Sequence, residues 1–464
     1  MFKPLCAALA ALVLVSCGGG GGGDPAAASG GSSDMAAASG GKSVVVPLSP
    51  SSAPAQAGKH AVDPVVTAQP VSLVNTITPG DQTLRTVGAT SDGGYVAVWI
   101  STDFWYMQAY DEAGAKVGSQ VHIQAEIAAP TEAANRLAIE QSSFAVLTDG
   151  SVVVLYTITR DVPVPGGYTD SVTGVFFQVV GKDGFSRVPE TQVASQSFAG
   201  PKGPYLGIAS VEALSGGGFV VASELRHYTN VFSSISGLSL YWFDAQGKPV
   251  GSPVDAGGFP ELRYGMVADA HGGLTLSTIH TSNVYQRLYT EYHYDTAHTA
   301  STIVAPSERP VELLPLEEGY VLFTAGSNVT MQMLDSQGNP VGAPATVASL
   351  PWATGELADG TYVVIWRTNG AFTAQQFAAD GTSLGAPMPI DTQGGAPVMA
   401  ALADPGFVAA WTAPGASGDA DVYAQRFMEP LRHARKVCRD SAKAQGLKGK
   451  QRKAFVDECV AVSA

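Results

Sequence analysis

The chain has 464 residues, 45% of them hydrophobic and only 14% charged, with 53 Gly and 29 Pro. That balance excludes a charged helical bundle and a disordered polymer, and it fits many short strands joined by tight turns. Residues 18–430 carry 16 basic against 37 acidic side chains, a net charge of −21, which argues against nucleic acid and against anionic lipid surfaces as partners.

At the N-terminus, Lys3 precedes an apolar stretch from Leu5 to Ser16 that is too short to span a membrane and predicts a targeting segment over residues 1–17. The stretch ends in Leu14-Val15-Ser16-Cys17, which resembles the lipobox of bacterial lipoproteins. The resemblance implies that the Cys17 thiol is diacylated, that the chain is cut before it, and that the new amino terminus is acylated. Several acyl chains on one residue give stable anchoring, because each buried methylene contributes about 0.8 kcal/mol. No Asp follows Cys17, so the inner-membrane retention signal of such lipoproteins is missing and an outer-membrane address, periplasmic or surface-exposed, is expected. Six glycines, Gly18 to Gly23, open a segment rich in Gly, Ala, Ser and Pro that continues to residue 65. It cannot bury enough apolar surface to order itself and predicts a flexible tether with an end-to-end distance of roughly 35–40 Å.

Residues 66–430 are repetitive. A Gly-containing turn leads into an alternating apolar run at Asp92-Gly93-Gly94-Tyr95, Asp149-Gly150-Ser151-Val152, Gly216-Gly217-Gly218-Phe219, His271-Gly272-Gly273-Leu274, Glu318-Gly319-Tyr320, Asp359-Gly360-Thr361-Tyr362 and Asp404-Pro405-Gly406-Phe407. A second half-unit recurs as Asp111-Glu112-Ala113-Gly114 before Val117-Gly118, with kin at Asp244 to Gly247, Asp335 to Gly338 and Asp380-Gly381 before Val250-Gly251, Val341-Gly342 and Leu384-Gly385. Seven copies of about four strands predict an all-β domain, a seven-bladed β-propeller; the irregular insertions and four-strand units disfavour a β-solenoid. The last copy stops after Val422 to Phe427, and a spare strand around Val71 to Val74 is expected to complete it and remove the exposed edge. The best copies, Gly406 to Trp411 with Val422 to Phe427, and Thr361 to Trp366 with Gln375-Gln376-Phe377, resemble a tandem repeat of secreted and surface bacterial proteins. That family implies no general activity. In the middle copies its Trp position holds Ser223, Thr278 and Thr324.

Residues 431–464 change character, with nine Lys and Arg against three Asp and Glu. Leu431, Ala434, Cys438 and Ala442 recur at helical spacing up to Gly446, a C′ residue, and Phe455, Cys459 and Val460 mark a second helix. Cys6 leaves with the targeting segment and Cys17 takes lipid, so Cys438 and Cys459 are expected to form one disulfide across this α-hairpin. The run from Cys438 to Cys459, with Leu447-Lys448-Gly449 at its centre, resembles the PsiF repeat of small exported proteins linked to phosphate starvation, whose biochemistry is not established. Lys448, Lys450, Arg452 and Lys453 are then either an anion site or simply solvated cations.

The densest titratable cluster runs from Tyr289 to His298. Strand alternation would put Glu291, His293 and Asp295 on one face, as a metal or acid–base site demands, although an exposed polar face has the same pattern. His271 occupies a turn position, and Gly418-Asp419-Ala420-Asp421 reads as a calcium-ligating loop or an Asp-rich hairpin tip. No cofactor and no catalytic set is expected. The sequence points to a lipid-anchored interaction or scaffold protein with a protein or polysaccharide partner. The alternative is a carbohydrate-active hydrolase at the central face, which needs two carboxylates at a fixed separation.

Overall fold

The computed structural model describes residues 66–463 except 102–103, 124–137, 165–167, 199–204, 231–232, 261–262, 270–271, 282–286, 308–310, 394 and 405. Cys17, the targeting segment, the tether and His271 lie outside the described residues.

Seven antiparallel sheets form a closed β-propeller. From the innermost strand outward, blade one is Gln82–Ala89, Tyr95–Ser101, Phe104–Tyr110 and Lys116–His122; blade two is Ala138–Val146, Val152–Val164, Tyr168–Val180 and Ser186–Phe198. Blade three is Tyr205–Ala213, Phe219–Asn230, Ser233–Phe243 and Val254–Pro260; blade four is Arg263–Ala268, Leu274–Thr281, Arg287–Tyr294 and Ala300–Ser307. Blade five is Val311–Leu316, Gly319–Ala325, Val329–Leu334 and Pro340–Val347; blade six is Pro351–Glu356, Tyr362–Thr368, Ala371–Phe377 and Ser383–Ile390. Blade seven is Val398–Ala401, Gly406–Pro414 and Ala420–Met428, and Thr67–Ala68 and Ser72–Leu73 pair outside it.

Two local devices repeat. In the turn after the innermost strand, Gly93, Gly150, Gly217, Gly272 and Gly360 sit at φ between 79° and 92°, a left-handed conformation that costs other residues a Cβ clash. In the turn before the outermost strand, the carboxylates of Asp244, Asp295 and Asp335 each accept the N–H groups two and four residues on, an Asx turn. A further device was not evident from the motifs alone. Gln108, Gln332 and Gln375 each donate through Nε2 to the Val-Gly or Leu-Gly carbonyls of the neighbouring outer strand. Those pairs are bulges, with Gly118, Gly342 and Gly385 at positive φ. Bulged, clamped outer strands are poor templates for pairing with other chains.

An apolar cluster fills each junction between consecutive blades. Between blades seven and one, Trp99, Tyr95 and Ala97 pack on Val408, Ala410 and Val422, which joins the first blade to the last. Among the described side chains, the junction between blades four and five has the smallest cluster, with Leu313, Tyr320 and Leu334 as its buried members.

The ring is sealed by its N-terminal segment, as expected from the spare strand, but in two short pieces rather than one. Pro70 stands between them and lacks the N–H a continuous ladder needs. Gln425, the blade-seven counterpart of the clamping glutamines, donates to the carbonyl of Gln69 at 3.0 Å. Buried Asn75 donates to Asp421 at 2.8 Å and accepts from the Val422 N–H at 2.8 Å. Asp419 accepts from the Gly80 N–H, and Asp81 from the Ala420 N–H. The suspected calcium loop is therefore the clasp of the ring.

The chain ends in α1, Pro430–Ala444, and α2, Gly449–Ser463. Proline opens α1, where its missing N–H is harmless. Gly446, at φ 68°, closes it: Gly446 N–H bonds the Lys443 carbonyl and Leu447 N–H that of Ala442, a Schellman motif. A Cys438–Cys459 disulfide staples the two helices, with Ala434 and Val460 packed about Cys438.

Candidate functional site: the polar seam between blades four and five

Repeat proteins carry their own controls, because equivalent positions can be compared across blades. Opposite Ser277 on the third strand of blade four stands Glu291. The equivalent residues in the other six blades are Met107, Phe177, Leu240, Met331, Ala374 and Ala424. Ser277 itself replaces Val98, Leu155, Ala222, Phe323, Ile365 and Ala410. Both departures fall at the junction with the smallest apolar cluster, so a polar seam has replaced part of the core there.

Glu291 is 1% exposed and accepts a 2.5 Å hydrogen bond from the Ser277 hydroxyl. Burial pushes its carboxyl up to about 8, which the Ser277 bond opposes and the neighbouring Glu312 of blade five reinforces. Glu312 is itself raised to about 7 by burial. On the other flank of blade four, burial raises Glu212 of blade three to about 7, against a hydrogen bond from the Ala268 backbone. These carboxyls favour the protonated form because a charge there would lose its water without gaining a cation.

Two residues along from Glu291, His293 shares its strand face. Its Nε2 lies 3.7 Å from Asp269 Oδ2 and its ring meets Tyr320 of blade five edge-on at 5.7 Å. Its buried Nδ1 and the buried Thr275 hydroxyl opposite it have no hydrogen-bond partner among the described residues. Asp295 does not join them. It lies past the strand's end, in the Asx turn it shares by position with Asp244 and Asp335. His298 takes the left-handed place held by Gly247 and Gly338 in those turns, at φ 63°, and stacks on Trp242 at 4.2 Å. Among the described residues no group of three or more His, Cys, Asp or Glu is arranged to hold a metal ion.

Other candidates are accounted for locally. Lys448, Lys450, Arg452 and Lys453 are exposed, the last three within the first five residues of α2. A cleft of about 470 Å³ between blades two and three includes Asp149, Lys182, Arg187 and Gln246. Its two cations are engaged, Lys182 with Asp92 at 3.4 Å and Arg187 with Asp183 at 2.7 Å.

The class that fold and site define is a closed seven-bladed β-propeller with a disulfide-stapled helical hairpin. No family model matches the chain, and no curated protein does. Among solved structures, it is similar to prolyl oligopeptidase B from Galerina marginata (TM-score 0.44, 9% identity, covering 72% of this chain and 48% of that one). It is also similar to the subtype N10 neuraminidase-like protein of A/little yellow-shouldered bat/Guatemala/060/2010 (TM-score 0.36, 9% identity, 76% and 98%) and to TolB from Acinetobacter baumannii (TM-score 0.32, 11% identity, 68% and 65%). The chain spans about half the length of the peptidase. These likenesses bear on neither activity nor partner, and the propeller rests on the sheet topology itself.

Proposed function

We propose that the chain is an outer-membrane lipoprotein, held through Cys17, whose propeller is a non-enzymatic interaction module. The observation that carries this reading is the inequality of the propeller's two faces. Each blade is a meander, so the connections from first to second and third to fourth strand share one face. The second-to-third and blade-to-blade connections share the other. On the first face the turns are short Asp- and Gly-containing ones in nearly every blade. On the second, blade two carries strands of 13 residues, paired as far as Val164 and Tyr168, and blade three strands of 12 and 11, where blades one and six have 7. Six additional residues per strand carry the blade-two hairpin roughly 20 Å farther at about 3.3 Å per residue. Elaboration confined to one face of a regular scaffold is how folds present binding surfaces.

The hydrolase alternative is weakened by the burial of Glu291, which is bonded to Ser277 and 1% exposed, because a catalytic carboxyl must reach substrate. The test is in-cell crosslinking of the full lipoprotein with the blade-two and blade-three hairpins cut back to the length of blade one. Loss of the crosslinked partner in those variants, with retention when turns of the opposite face are altered, supports the reading. Adducts indifferent to the shortening, or none at all, refute it. Phase partitioning of Cys17→Ala into the aqueous layer tests the anchor separately.

A further inference from the structure

We infer that the blade-one sector of the elaborated face is a binding step for a neutral glycan; this rests on the interaction reading above and names its ligand class. Phe104 opens the third strand of blade one and His122 ends the fourth, so both stand at that face. Their rings meet edge-on at 5.2 Å, His122 lies 5.4 Å from Tyr106, and Tyr106 stacks on buried Trp99 at 6.0 Å. The result is a stair of rings from the core to solvent, ending in Phe104 at 54% exposure and an exposed His122.

The scaffold does not require that stair. Positions equivalent to Phe104 hold Gly174, Gly237, Ala371 and Asp421 in four blades and Leu288 in a fifth. At this position a large ring half in water is therefore found in blade one alone of the six blades compared, and an exposed aromatic on a rigid sheet offers contact area at little entropic cost. Hydrogen-bonding side chains stand on the strands of the same blade. Ser101 stands opposite Phe104, Ser119 and Thr83 are exposed, and Gln120 holds the Thr76 and Ile77 N–H groups at 2.7 and 3.2 Å beside the half-exposed Ile77 side chain.

That chemistry selects among ligands. A pyranose ring has an apolar C–H face that lies on an aromatic ring and an equatorial edge of hydroxyls that exchange hydrogen bonds with amides and alcohols. A cationic peptide would need free carboxylates, and those of the adjoining clasp, Asp81 and Asp419, already accept the Ala420 and Gly80 N–H groups. An anionic polymer would meet a body of net charge −21. Charge and shape together favour an uncharged polyhydroxyl chain.

The test is affinity electrophoresis of the folded protein through gels containing a soluble β-1,3-glucan, hydroxyethyl cellulose, galactomannan or dextran, with alginate as the anionic arm. At least one neutral polymer should retard migration, and Phe104→Ala and His122→Ala should each raise the Kd at least tenfold. Val250→Ala, which alters an exposed residue of blade three, should leave it unchanged. A thermal melt of Phe104→Ala matching the parent separates lost contact from lost folding. No retardation by any neutral polymer, retardation by alginate alone, or unaltered binding of Phe104→Ala overturns the inference. If crosslinked partners still depend on the hairpins in that case, the interaction reading stands and only the glycan assignment falls.

Discussion

Replacing Glu291 with Gln should stabilise the propeller at neutral pH and leave it unchanged in acid. The amide keeps the side chain's size and can still accept the Ser277 hydrogen bond, but it never ionises. In the parent the carboxyl titrates near 8 when folded, against 4.5 for an unperturbed Glu. Below pH 4.5 both states are protonated and nothing is lost. Above it the unfolded chain releases a proton that the folded chain retains, so stability falls by about 1.4 kcal/mol per pH unit until the folded carboxyl also ionises. By pH 7 the accumulated cost is roughly 3 kcal/mol for this one group, since the span from 4.5 to 7 is 2.5 units. Urea unfolding followed by tryptophan fluorescence at pH 5, 6, 7 and 8 measures it. Glu291→Gln should lie within about 1 kcal/mol of the parent at pH 5 and exceed it by about 3 kcal/mol at pH 7 and about 4 kcal/mol at pH 8, with unchanged m-values. Glu312, also raised by burial, should leave a residual slope in the variant. Parallel pH profiles for parent and variant would show that Glu291 is not held protonated and would remove the polar seam as an energetic feature.

The clasp predicts that Asn75→Ala, which strips buried Asp421 of a 2.8 Å donor and Val422 of its acceptor, costs about 2–4 kcal/mol; chemical denaturation checks it. Gln375→Ala should lose about 1–2 kcal/mol, because three carbonyls at the blade-six bulge are deprived of their clamp, again read from the urea midpoint. Cys438→Ser with Cys459→Ser should remove about 3 kcal/mol from the helical hairpin, the entropy of closing a loop of sequence separation 21. Limited proteolysis should then clip residues 431–464 while the propeller's unfolding midpoint stays in place.

The blade count was legible because each copy carries a turn that only certain residues make. Glycines at φ near 80–90° and an Asx-turn aspartate punctuate the chain whatever the strands between them contain. Substitution of the repeat's Trp by Ser223, Thr278 and Thr324 therefore did not hide the middle blades, and register places all three opposite the residues expected of that position. Asp295 was misplaced for the same physical reason in reverse. Strand alternation ends at Tyr294, and Asp295 takes the turn position that Asp244 and Asp335 mark in their blades. Glu291 could not be recognised as a core residue from its own strand, whose other neighbours are Tyr, Thr and His. Its meaning comes from lying across from Ser277, a partner 14 residues away, and register of that kind is fixed by tertiary packing rather than by local pattern.

A ring of equivalent sheets turns each departure from the common pattern into an observation with six comparisons. Changes that the turn or packing rules explain, such as His298 for glycine or Gln425 reaching Gln69 instead of a bulge, have structural compensation. The long hairpins of blades two and three and the exposed ring of Phe104 are not called for by those rules, and they occupy the same face. Local rules broken without structural gain concentrate where function is carried. The polar seam is different, because it weakens a junction rather than decorating a surface. Its two raised carboxyls, Glu291 and Glu312, lie on one side of blade four and the raised Glu212 of blade three on the other, so the same pH rise that ionises them loosens that one blade from both neighbours. Hydrogen exchange should therefore report blade four as the first sheet to lose protection between pH 6 and 8, with blades six and seven, whose equivalent positions are Ala374 and Ala424, still closed. Uniform loss of protection around the ring would contradict this.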